Sequence, residues 1–116
     1  MSEFRMPPLE NLATDVTHAS MAKTFVERLE GWIKGLQSRV PPGKQLSVRV
    51  LLSGIQPMPV KFIGYHNPNL VAIEAYNLNG EAVTLLAHQN TVQLLCEMVP
   101  VEGDKPRQHI GFQTGA

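Results

Sequence analysis

Cysteine is nearly missing from this chain: Cys96 stands alone. It has no partner for an internal disulfide, so a reducing, cytoplasmic setting is expected. The Cys/His spacing of a zinc site is lacking too, and no metal or cofactor is expected. No apolar run approaches the roughly 20 residues that span a bilayer, and residues 1–5 have neither the basic start nor the apolar core of a signal peptide. A membrane partner is therefore not expected. Aromatic residues are scarce, at 6%, which points to an aliphatic core. With 116 residues there is room for one domain.

Basic charge is absent over a long span. Between Phe62 and Asp104 there is no Lys or Arg, while Glu74, Glu81, Glu97, Glu102 and Asp104 fall there. Between Met21 and Lys61 lie Lys23, Arg28, Lys34, Arg39, Lys44, Arg49 and Lys61, against Glu27 and Glu30 alone. Such asymmetry marks either a polyanion-binding face or a solvated helix followed by strands with a few surface acids.

Catalytic patterns are missing as well. There is no GxGxxG fingerprint and no P-loop. Cys96 lies in mid-strand and reads as a small apolar residue. His18, His66, His88 and His109 have no nucleophile or paired acid at motif spacing. The chain is expected not to be an enzyme.

What is present is periodicity. Residues 1–19, with Pro7-Pro8, read as an extended arm. Phe25, Leu29, Trp32, Ile33 and Leu36 recur at steps of three and four and predict a helix over 20–38, with Ser20 or Thr17 as N-cap. Gly31 and Gly35 weaken that helix by about 1 kcal/mol each relative to Ala. Val40-Pro41-Pro42-Gly43 ends it.

The period then changes to two. Strands are expected at Leu46–Leu52, Val60–Tyr65, Leu70–Tyr76, Glu81–Leu86 and Val92–Val99. Gly64 suggests a bend or bulge within the second. Asn77-Leu78-Asn79-Gly80 reads as a two-residue hairpin turn. Residues 101–116 read as a polar tail. One helix and five consecutive strands with short linkers predict a mainly β fold: a small, strongly bent antiparallel barrel over 45–100 within a domain over 20–100. The strands at 81–86 and 92–99 are apolar on both faces. Either they pair with neighbouring subunits, head to tail in a ring, or one subunit buries them fully.

Two polar loops interrupt these strands: Gly64-Tyr65-His66-Asn67-Pro68-Asn69-Leu70-Val71 and Ala87-His88-Gln89-Asn90-Thr91-Val92. Asn69 and Asn90 either read a base edge or cap their own turns. His66 and His88 are either ligand contacts or surface turn residues. Pro68 either offers a flat apolar contact or stiffens its turn.

In order and spacing these loops resemble the two motifs of the Sm-like superfamily, which includes Sm, Lsm and bacterial Hfq proteins. The chain looks like a divergent bacterial or phage-type member over roughly Thr24 to Pro100. Asn69-Leu70-Val71 matches the first motif directly, with His66 where the family has Asp. In the second, His88 takes the basic position and Gln89 replaces Gly. The resemblance implies a homo-oligomeric ring of about five to seven subunits closed through the fourth and fifth strands. It also implies single-stranded RNA bound by pore-lining loops in an RNA-chaperone-type role, with His66, Pro68, Asn69, His88, Gln89 and Asn90 as the contacts. The alternative is an architectural ring that holds proteins and not RNA. Because the loop-bearing half has no Lys or Arg, phosphate contacts would come from Lys23, Lys34, Arg39, Lys44 and Lys61. Binding through the loops alone is expected to strengthen at mildly acidic pH, where imidazole gains charge.

Overall fold

The computed structural model describes residues 19–103 and 109–114. The arm expected over 1–19, with Thr17 and His18, lies outside them apart from Ala19, as do 104–108 and 115–116 of the tail. The described residues are mainly β with one α-helix: α1 (Met21–Gln37), β1 (Lys44–Leu52), β2 (Ile55–His66), β3 (Leu70–Tyr76), β4 (Ala82–His88), a 3₁₀ turn (Gln89–Thr91), β5 (Gln93–Pro100) and β6 (Gly111–Phe112).

Helix α1 forms where the apolar spacing places it, but its buried stripe is centred on other residues. Ala22, Val26 and Ile33 are buried, with Phe25 and Leu29 packed beside them. Trp32 sits about 100° around the helix from Ile33 and is 70% exposed. Ser20 occupies the N-cap position without a side-chain cap bond. The helix N-terminus is instead bonded by the turn after β2. Ala22 N–H donates to the Pro68 carbonyl at 2.8 Å, and Lys23 N–H donates to Asn67 Oδ1 at 3.1 Å.

The strands run β4-β3-β2-β1-β5, antiparallel throughout. The expected barrel does not close by hydrogen bonding: β4 and β5 end the path and no ladder joins them. Strand β2 starts at Ile55, earlier than its two prolines suggested. Pro57 and Pro59 fall in the half of β2 that pairs with β1 alone, where a missing N–H costs least. The other half, from Val60, pairs with β3. Register shifts between Val60 and Phe62, so the buried side chains change phase from Met58 and Val60 to Ile63 and Tyr65.

The irregularity is therefore at Lys61 and not at Gly64. Gly64 serves a close approach instead: a Cβ there would lie 2.8 Å from Gln113 Oε1. Gln113 follows β6, an element with no apolar period to announce it, which pairs in parallel with Phe62 and Ile63 of β2. Gln113 N–H donates to the Ile63 carbonyl at 3.0 Å, and its Oε1 accepts from Tyr65 N–H at 2.8 Å. The tail thus fills the β2 edge that β1 leaves open.

The β3–β4 hairpin is also longer than a two-residue turn. Its last pair is Tyr76 with Ala82, leaving five loop residues. Gly80 has φ +79°, and no residue other than glycine has a positive φ among those described. Asn77 Oδ1 accepts from Asn79 N–H and from Glu81 N–H, each at 2.9 Å. A side-chain cap thus does what a second left-handed residue would otherwise do.

The core lies between α1 and the sheet: Val48, Val50, Ile63, Val71, Ile73 and Ala75 are buried against Val26 and Ile33. On β4, Val83 and Leu85 face this core, while Leu86 on the opposite face is 67% exposed. On β5, Leu94 and Cys96 face it, while Leu95 is exposed. Burial pushes the Cys96 thiol up from its ordinary range.

Candidate nucleic-acid interface

The two polar loops come together because three strands deliver them to one end of the sheet. His66 pairs with Leu70 across β2–β3, and Leu70 pairs with His88 across β3–β4. Paired residues share a face, so both histidines flank Leu70 in one row. At about 4.8 Å per strand their backbones are roughly 10 Å apart. Both are exposed, while Val71, Ile73 and Ala75 face the core.

A backbone bond ties the loops directly. Gln89 N–H donates to the Asn69 carbonyl at 2.9 Å. Asn69 makes no side-chain hydrogen bond among the described residues, so its amide is presented to solvent. Of the two roles open to Asn69, capping its own turn is not the one found. The capping asparagine of this turn is Asn67, and it caps α1 from 44 residues away. Nothing in the local sequence signals so distant a cap. Pro68 is exposed, and its carbonyl is committed to Ala22.

The second loop is a closed 3₁₀ turn. His88 Nδ1 accepts from Asn90 N–H at 3.1 Å, and Thr91 Oγ1 donates to the His88 carbonyl at 2.8 Å. An accepting Nδ1 puts the neutral ring's proton on Nε2, which leaves that N–H for a ligand. Gln89 Oε1 is buried without a partner among the described residues, while the Asn90 side chain is exposed. His66, Pro68, Asn69, His88, Gln89 and Asn90 thus lie at one end of the molecule.

The basic residues do not gather there. Lys23 is the exception, since its own amide is bonded to the first loop. Lys34 is committed to Glu30 at 3.0 Å. Arg39 lies beyond the far end of α1 at Gln37, which is itself about 21 Å from Lys23 by helical rise. Lys44 opens β1, paired with Pro100, and Lys61 is exposed at the register shift of β2. Among the described residues no group of His, Cys, Asp and Glu could hold a metal ion, and no helix is long and apolar enough to cross a membrane. No family model, curated protein or solved structure matches the chain.

Proposed function

We propose that this chain is an Sm-like protein that assembles into a homo-oligomeric ring and holds single-stranded RNA at its apposed loops. The observation that carries the reading is the bond from Gln89 N–H to the Asn69 carbonyl. It joins two segments, both similar to Sm-like motifs, that lie 20 residues apart. The strand path β4-β3-β2-β1-β5 and the two-part β2 agree with that fold.

Ring assembly draws support from the two free edges. Among the described residues, strands β4 and β5 each pair on one side only. Each also presents an apolar side chain, Leu86 or Leu95, on its outward face. Unpaired apolar edges attract further strands, and joining two different edges head to tail generates a ring. In the RNA reading, the Asn69 amide and the His88 Nε2–H meet base edges or phosphate, with Lys23 beside them.

The lack of Lys and Arg from Phe62 to Asp104 favours a second reading, a ring that holds proteins. Anisotropy of labelled oligo(A) and oligo(U) between 50 and 200 mM salt separates the two. RNA binding weakens steeply over that interval, and the part of it held by the loops is lost in Asn69→Ala. Absence of binding at 50 mM salt would favour the protein-holding ring.

A further inference from the structure

The outer face of α1 carries a groove that the loops do not explain. It has a volume of about 360 Å³ and is lined by Arg28, Gly31, Trp32, Gly35, Leu36 and Arg39, near the lower size limit of ligand pockets. Trp32 forms its wall and is 70% exposed, unusual for the largest apolar side chain. A Cβ at Gly31 or Gly35 would meet nothing within 4 Å. Internal packing therefore does not require glycine at either position, although both weaken the helix. What the glycines provide is an open floor beside the indole.

Arg28 and Arg39 stand toward the two ends of this floor. The ion pairs of the described residues are Glu30–Lys34 and Arg49–Glu97, so neither guanidinium is paired among them. Glu27 and Glu30 lie outside the groove lining. From Arg28 to Gln37, the last helical residue, the rise is roughly 14 Å, and Arg39 lies just beyond it. An exposed aromatic on an open floor, with unpaired guanidiniums toward its two ends, gives a base a stacking face and gives phosphates on either side of it, about two nucleotides apart, their counter-charges.

We infer that this helix face is a separate site for single-stranded RNA, with a base stacked on Trp32 and flanking phosphates on Arg28 and Arg39. It supplies cationic contacts that the loop-bearing half lacks. The site stands on its own geometry and does not depend on the loops binding RNA.

The chain has one tryptophan, so indole emission reports on this groove alone. The test titrates 12-nucleotide oligo(A) into the full-length protein and follows Trp32 emission alongside anisotropy of the labelled strand. The expected result is saturable quenching. With two phosphate contacts, affinity should fall about sevenfold between 50 and 200 mM salt, from a single-strand slope near −0.7 per phosphate. Quenching should disappear in Arg28→Gln/Arg39→Gln and weaken at least tenfold in Gly35→Leu, which fills the floor where space is open. It should persist in Asn69→Ala, even if that variant removes a second binding mode. RNA bound by anisotropy with no change in Trp32 emission overturns the helix site and leaves the loop reading standing. Absence of any binding at 50 mM salt overturns both. Quenching by a glutamate-rich peptide and not by oligo(A) also overturns it, and identifies the groove as a protein contact.

Discussion

At the scale of single residues, side chains here act through bonds to distant backbone. Asn67 does for α1 what Ser20 does not, and the turn carrying the candidate site is thereby fastened to the helix. Asn67→Ala is expected to destabilise the fold by about 1 kcal/mol, the usual effect of removing a cap, measured by urea denaturation. Ser20→Ala should change stability much less. His88 is used twice, with Nδ1 in its own turn and Nε2 facing out. Asn at this position can retain an acceptor near Nδ1, so His88→Asn should keep the turn, while His88→Ala should lose about 0.5–1.5 kcal/mol. Equal losses in the two variants would remove Nδ1 from the account.

Cys96 gives a pH prediction. Its thiol is held up by burial, so the folded state keeps the proton more tightly than the unfolded chain. Any stability this contributes is complete below the unfolded thiol's range and is lost as pH rises through the folded value. Alkylation by iodoacetamide at pH 8–9 should be slower in the native protein than in urea. Equal rates would mean that the thiol is more open than its half-buried place on β5 implies.

At the scale of elements, α1 and β6 each answer a question the strands leave open. Gly31→Ala and Gly35→Ala should each stabilise the protein by up to about 1 kcal/mol, since the helix gains propensity and the added methyl meets nothing. Gly64→Ala has the opposite sign. Its methyl would collide with the Gln113 amide, so the bond from Tyr65 N–H to Gln113 Oε1 should be lost, with faster hydrogen exchange at Tyr65.

Helix α1, the succession of five strands and the apolar face of β1 are legible because periods of 3.6 and 2 are local properties. Hidden were the features made by contact between distant segments. These are the tail's two-residue strand, the role of Gly64 and the Asn67 cap. Trp32 was misplaced because large apolar residues at helical spacing read as core, and size alone does not say which side of a stripe is buried. In the site, both loops were readable from composition. Their shared row through Leu70 needed the register, which alternation alone does not supply.

At the scale of the molecule, β4 and β5 are edges that no other described strand covers, and they are the edges through which assembly is proposed. Leu86 and Leu95 lie on those edges, and burying a leucine contributes about 1.5–3 kcal/mol. Leu86→Asp or Leu95→Asp should therefore shift the assembly toward subunits while leaving far-UV circular dichroism unchanged. Ring formation would also repeat the loop pair and the Trp32 groove around an axis, so that one RNA strand could meet several weak contacts at once. The most direct test is the native mass of the full-length protein by light scattering across micromolar concentrations. The account predicts a single species of about five to seven times 12.8 kDa. A species that stays at 12.8 kDa throughout would contradict it.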